Sequence, residues 1–333
     1  MSRRDRRLRR FHEKRKKIIE TVEEAPKKFT PTEKQRETKN PFLHFYNTQY
    51  KKLLIIPILM LLIAIIVIAS QAITTGEFIH KAVSLKGGTT ITIPTDKIIN
   101  INMLEDLLSQ EFNELDIAVR SLTKAGTSTG IIIDTDIQEQ KDLQTFLIFL
   151  ESKIGNLGEY STEHMGSALG ASFFKETIIA LLLAFTFMGI IVFLYFKTFV
   201  PSIAVILAAV SDIIVTLAIV NLMGIKLSTA GIAAFLMIIG YSVDTDILLT
   251  TRLIKRKEGT LFQRLINAMK TGLTMTITTM AVVILALIFT QSETIRQIMT
   301  ILLIGLIVDI INTWIQNVGI LRLYIDKKQN GKD

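Results

Sequence analysis

Residues 53–74 read LLIIPILMLLIAIIVIASQAIT. The run carries no charge and is longer than the roughly 18 apolar residues that can cross hydrocarbon as a helix. A soluble surface helix of this length would show a polar stripe along its side. Here the polar residues Ser70, Gln71 and Thr74 gather only at the end, so the segment is read as a membrane span. Upstream, Phe42, Phe45, Tyr46 and Tyr50 precede Lys51-Lys52, an arrangement that suits a membrane interface. Residues 1–52 form a basic tail that holds Arg3, Arg4, Arg6, Arg7, Arg9, Arg10 and the Lys14-Arg15-Lys16-Lys17 cluster. Such a tail suits anionic lipid headgroups. Aromatics among basic residues also admit RNA, but nucleic acid is the disfavoured partner. The flank is too long and the apolar run exceeds the 7–15 residues of a signal core, so the run is read as a retained anchor.

Downstream the pattern repeats. The chain has 333 residues, of which 49% are hydrophobic, and a mean hydropathy of +0.42. Five further apolar runs are expected to span: Thr177 to Phe196, Ser202 (just after Pro201) to Met223, Ser228 to Thr251, Thr271 to Thr290, and Ile298 to Leu321. The segment after the fourth run carries Arg252, Lys255, Arg256, Lys257, Arg264 and Lys270, and the C-terminus carries Arg322, Lys327, Lys328 and Lys332. These segments and the tail share one side only if the number of spans is even. Six spans with both termini cytoplasmic then satisfy the excess of basic residues on the inner face of a cell membrane. The expected organisation is a tail (1–52), a first helix (53–74), an extracytoplasmic domain (75–176), a five-helix bundle (177–324) and a C-terminal tail (325–333).

The segment between the first two spans alternates strand and helix signals. Thr89–Ile93, Asp116–Leu122 and Gly130–Asp134 read as strands, the last two joined by a turn over 125–129. Ile98–Glu111 and Glu139–Lys153 read as helices, and Leu157–Glu163 as a last strand. The order βαββαβ predicts a small α+β domain of ferredoxin-like type. The whole is thus expected to be a polytopic helical membrane protein with one small α+β domain.

Several functions are excluded or disfavoured. The sequence has no cysteine, so disulfides, thiolate catalysis and Fe–S clusters are out. The four histidines show no ligand spacing, and there is no phosphate-loop motif. No cofactor, no metal and no enzymatic activity are expected. Lys86-Gly87-Gly88-Thr89 is read as a tight turn rather than a phosphate site.

Charged residues inside apolar spans are the sharpest signals, each costing about 2.5–3.5 kcal/mol at a helix centre on insertion scales. Asp212 lies mid-way along the third span, Asp244 and Asp246 in the fourth, and Asp309 in the sixth with Asn312 one turn on. Asp244, Leu248 and Arg252 share a stripe, and Asp246 points to nearly the opposite side. Convergence of Asp212, Asp244 and Asp309 is expected. A proton or ion relay is the preferred reading for Asp212 and Asp244, against hydrogen-bonded packing. Asp246 and Asp309 stay open between the two. Thr274, Thr276, Thr278 and Thr279 are expected to bond backbone carbonyls or adjacent helices. Gly166-Ser-Ala-Leu-Gly170 is an elbow or a packing motif.

These segments together resemble the SecF family of protein-export membrane proteins, in its archaeal-type branch. Ser84-Leu-Lys-Gly-Gly88, with Gly87 and Gly88, looks like the family's Asp-Phe-x-Gly-Gly element. Met165-Gly-Ser-Ala-Leu-Gly170 looks like its Val-Gly-Pro-x-Leu-Gly element, which carries Gly166 and Gly170. Ser211-Asp212-Ile-Ile-Val-Thr216 resembles its His-Asp-x-x-x-Thr stretch. Ile239-Gly240-Tyr241-Ser242-Val-Asp244, continuing to Arg252, resembles its Ile-Gly-Tyr-Ser-Ile-Asn-Asp-Thr segment and is the most specific match. The family's aspartate falls on Thr245, with acids on both sides, and its arginine before the fifth span corresponds to Lys270. The resemblance implies a SecD partner, association with the SecY channel complex, an exported polypeptide as substrate and a proton- or ion-gradient-driven role. Relation to resistance-nodulation-division transporters leaves a second reading, one half of a small-molecule or lipid transporter. A purely structural assembly factor is a third.

Overall fold

A computed structural model describes residues 41–330 except Asp96, Ile98, Ala125, Gly126, Lys257 and Gln291. Most of the basic tail therefore lies outside the described residues, as do the first two residues of the expected 125–129 turn and the last three residues, whereas residues 127–129 already belong to a strand. The chain divides into two compact units, Met1–Tyr50 and Lys51–Asp333. In the first, helix α1 covers Pro41–Thr48, and the short α2, Tyr50–Leu53, starts at its last residue.

In the second unit, α3 (Ile55–Thr75) ends on Gly76 in a left-handed cap. There follow α4 (Val83–Lys86), β1 (Gly88–Pro94), α5 (Ile101–Glu111), β2 (Ile117–Lys124), β3 (Thr127–Thr135), α6 (Gln140–Ile154) and β4 (Ser161–Met165). The remainder is helical. Helix α7 is Ser167–Phe196, α8 is Phe199–Leu222 and α9 is Thr229–Thr250, which runs on into a π-helical turn, Thr251–Lys255. Helix α10 is Leu261–Phe289. Helix α11 (Glu293–Ile311) passes through a second π turn, Asn312–Asn317, into α12 (Val318–Asn330).

Among the described residues, six helices are long and apolar enough to cross a membrane. Several begin earlier than hydropathy places them. Helix α7 starts at Ser167 rather than Thr177, and α10 at Leu261 rather than Thr271. Hydropathy marks the apolar stretch, whereas a helix continues until its end groups are satisfied. For α10 the signal is Thr260 with Gln263, a reciprocal capping box. Helix α8 starts at Phe199, so Pro201 sits inside its first turn, where a missing N–H costs nothing. The central helices α8, α9 and α11–α12 bury 50–56% of their most apolar windows, against 11–17% for α3, α7 and α10. The former make the bundle's interior and the latter its rim.

The four strands form one antiparallel sheet in the order β2-β3-β1-β4. Ile91 pairs with Ile133, which pairs with Val119. With period two, Ile91, Ile93, Ile131, Ile133 and Val119 share a face, and Leu108, Phe146 and Leu150 of α5 and α6 pack over it. The opposite face carries Thr90, Thr92, Arg120 and Asp134, and borders a cleft of about 260 Å³ shared with Lys226 and Gln297 of the bundle.

This domain is stitched to the α8–α9 loop. The Ala82 amide donates to the Leu227 carbonyl at 2.8 Å, and the Leu227 amide to His80 at 2.6 Å. Asn221 Nδ2 donates to the Phe78 carbonyl at 3.0 Å. Asp116 at the start of β2 meets Lys86 at 2.9 Å and Lys226 of that loop at 3.6 Å. Burial pulls the Asp116 carboxyl up, but the hydrogen bond from Lys86 and the charges of Lys226 and Lys86 outweigh it. The carboxyl is held below its ordinary value. The bond to Asp116 holds the Lys86 ammonium above its ordinary value, against the desolvation that opposes it.

Candidate functional site

The buried acids of the bundle meet where α8, α9 and α11–α12 cross. Asp212, Asp246 and Asp309 are 0%, 0% and 2% exposed. Asp212 Oδ2 accepts from the Ser242 hydroxyl at 2.6 Å, and its Oδ1 accepts from Asn312 Nδ2 at 2.7 Å. Asp246 Oδ1 accepts from Asn317 Nδ2 at 2.7 Å and lies 2.9 Å from the Thr313 hydroxyl. The same hydroxyl is 3.0 Å from Asp309 Oδ1. Thr245 donates to the Ser242 carbonyl at 2.9 Å and lies 3.4 Å from Asp309 Oδ2. One network thus links three helices and three carboxyl groups. Among the described residues, none of the three is ion-paired with a lysine or arginine.

The sequence explains this placement. On α9 the buried positions include Gly231, Phe235, Ile238, Ser242, Thr245, Asp246 and Leu249, a helical stripe that ends in small and polar residues. Ser242 and Asp246 are one turn apart, so they face the same way. The π turn supplies the amides and a hydroxyl. Asn312 faces α8, while Thr313 and Asn317 both reach Asp246 of α9. π turns inside α-helices are frequent at functional sites.

The geometry corrects one expectation directly. Asp246, not Asp244, joins Asp212 and Asp309. Asp244 is exposed, on the stripe of α9 that also exposes Gly240 and Tyr241. Arg252 lies in the first π turn and donates to the Asn267 carbonyl at 3.4 Å, while Lys270 is exposed on α10. Neither enters the carboxyl network. Of Gly240, Tyr241 and Ser242, it is Ser242 that hydrogen-bonds an acid, and Thr245 further along the same segment lies beside Asp309. Thr274, Thr276, Thr278 and Thr279 each donate to the carbonyl four residues earlier.

The glycine motifs serve the domain junction instead. Gly87 and Gly88 have φ of 93° and 124°, which side chains rarely adopt. A Cβ on Gly170 would lie 2.9 Å from the Gly87 amide, so the loop backbone rests on the start of α7. Gly166 caps α7 in open space. Sequence reading missed Thr313, Gln316 and Asn317. Their signal was the polar density of Asn312-Thr-Trp-Ile-Gln-Asn317, unusual in an apolar span.

The model of the family described as "Protein export membrane protein SecD/SecF, C-terminal" matches residues 149–327, more than half the chain. SecF of Methanocaldococcus jannaschii is 40% identical over 288 residues, covering 83% of this chain and 96% of the relative. The chain belongs to the SecF family of protein-export membrane proteins. SecF of Pyrococcus furiosus is 37% identical over 286 residues, covering 85% and 93% of the two chains. The fold also matches the crystal structure of SecDF, a translocon-associated membrane protein of Thermus thermophilus. The TM-score is 0.65 at 17% identity, over 83% of this chain and 38% of that longer one. The likeness to SecDF thus concerns the fold of a part of that longer chain.

Proposed function

We propose that this chain is an accessory subunit of the Sec protein translocase. It works with a SecD partner beside the SecY channel complex and promotes export of polypeptides across the cytoplasmic membrane. A proton or ion gradient drives it through Asp212, Asp246 and Asp309. The observation that carries the reading is the Thr313 hydroxyl between two carboxyl oxygens. A hydroxyl has one proton. It can bond both carboxyls only when one of them donates to it, so the arrangement is satisfied by a proton held in the pair. Loss of that proton forces a rearrangement of α9 against α11–α12, which is the raw material of gradient coupling.

Both termini are read as cytoplasmic, and the α/β domain as extracytoplasmic. That domain is read as ferredoxin-like, supported by its element order and its central β1 and β3, and it engages the exported chain. Family membership and the likeness to a segment of SecDF support the SecD partnership. So does exposed Asp244, because an acid on the outer side of a span is costly against lipid and needs a covering chain. The basic tail is read as resting on anionic lipid.

The test replaces Asp212 and Asp246 with Asn in the full chain in native membranes. Gradient-stimulated export of a secreted reporter should fall to the level without the subunit, at unchanged membrane abundance. Normal export in both variants overturns the reading. Capture of SecD and SecY by affinity purification of the native complex tests the partnership separately from the half-transporter reading.

A further inference from the structure

The acid network is not equally buried towards its two sides. Towards the α/β domain, the buried positions of α9 between Ser228 and Ser242 are Gly231, Ile232, Ala234, Phe235, Ile238 and Ile239. On α11, Ile301, Leu302, Leu306 and Val308 fill the same depth, 0–3% exposed. Gln297 at the cleft and Asp309 in the network are twelve residues apart, about 18 Å along a helix. The one buried hydroxyl of α8 within that layer is Thr216, about one turn from Asp212, and its Oγ1 has no hydrogen-bond partner among the described residues. Beyond that turn the lining is apolar, and such a lining stays dry.

The other direction is polar. Asp246 Oδ2, Thr250 Oγ1, Gln316 Nε2 and Asn317 Oδ1 are buried polar atoms with no hydrogen-bond partner among the described residues. Thr250 is one turn beyond Asp246, and Gln316 and Asn317 lie one turn beyond Asn312 and Thr313. Thr250, Gln316 and Asn317 therefore sit between Asp246 and the end of the bundle that carries the basic α9–α10 segment. Each such atom left without a bond bears the full cost of its desolvation. Water, which bonds about three groups per buried molecule, relieves that cost.

We propose that water reaches Asp246 from the basic-segment side along a track formed by Thr250, Gln316 and Asn317. Phe235, Ile238, Ile301, Leu302 and Leu306 close the network to the side of the α/β domain. The inference deepens the coupling reading, on which its meaning rests: in this conformation the acids exchange with one compartment only. A complete cycle then requires the apolar layer to part in a second conformation. Thr250, Gln316 and Asn317 are positioning residues for the ion's path.

The chain has no cysteine, so single thiols can be introduced without a background. Thr250→Cys, Gln316→Cys, Ile301→Cys and Leu302→Cys are made in the full chain in native membranes. Each is exposed to a membrane-impermeant maleimide, in right-side-out and in inverted vesicles. Thr250→Cys and Gln316→Cys should be labelled an order of magnitude faster from the side of the basic segment. Ile301→Cys and Leu302→Cys should be slow from both sides. Inert Thr250→Cys and Gln316→Cys, their labelling from the α/β-domain side, or fast labelling of Ile301→Cys overturns the track. The two track positions are read independently, so one poorly accumulating variant leaves the other decisive. Sided labelling with normal export by the Asp→Asn variants would remove the coupling role and leave the track. Impaired export with inert thiols would do the reverse.

Discussion

Thr313 and Asp246 show what one side chain decides in this bundle. Thr313→Val keeps the shape of the residue and removes the hydroxyl that bridges Asp246 and Asp309. The expected outcome is loss of gradient-dependent export together with about 1–3 kcal/mol of stability, from unsatisfied carboxyl oxygens. Thr313→Ser should restore both. Export assays and thermal unfolding in detergent measure the two effects separately. The sequence shows readily that only one of Asp244 and Asp246 can face the interior, because two residues along a helix reverse direction. It does not show which, because a helix that is apolar nearly all round has no preferred face. The deciding signal was local: Ser242 and Thr245 are small polar residues of the kind that mark close helix contacts in membranes. They share the side of Asp246, while Tyr241 shares the side of Asp244.

At the scale of elements, the six spans were legible because length and apolarity are set by the bilayer itself. The starts of α7 and α10 were not, since their first turns are polar and lie outside the apolar window. The π turns were illegible for another reason: they arise from packing between helices, and no residue type specifies them. Trp314 within the second π turn packs against Gly272 of α10, where a Cβ would collide with its indole. Gly272→Ala should therefore cost about 1–3 kcal/mol by overpacking and disturb the amides that hold Asp212 and Asp246. Thermal unfolding and the export assay should show both losses. In the α/β domain, Phe146 is fully buried between the sheet and α5. Phe146→Ala should cost about 3–5 kcal/mol, enough to open so small a core. Limited proteolysis should then cut first between residues 88 and 165.

At the scale of the molecule, the junction between the α/β domain and the α8–α9 loop combines backbone bonds with the Lys86–Asp116–Lys226 charge group. The order of elements was readable, but this junction was not, because Lys226 and Asp116 are far apart in sequence. Asp116 is depressed in the folded state, so its contribution is present above the ordinary carboxylate range and is lost as pH falls through its lowered value. Lys86 is raised, so its contribution is present below the ordinary lysine range and is lost as pH rises through its raised value. Between those limits, from about pH 5 to 9, the group should contribute a constant amount. Both partners are exposed enough that Asp116→Asn should cost no more than about 0.2–1 kcal/mol, and less in high salt. Denaturation at several pH values in low and high salt checks this.

The turn at Asn312–Asn317 also has a genetic meaning. A π turn closes its bonds over five residues instead of four, so it accommodates one more residue than regular α-helix. Removing a single codon there would let the helix close regularly and leave everything beyond it facing as it does now, because the turn absorbs that one residue. What would be lost is the widened turn itself, which brings Asn312, Thr313 and Asn317 onto Asp212 and Asp246. A one-residue deletion in this stretch should thus preserve the helix beyond it and impair the acid network.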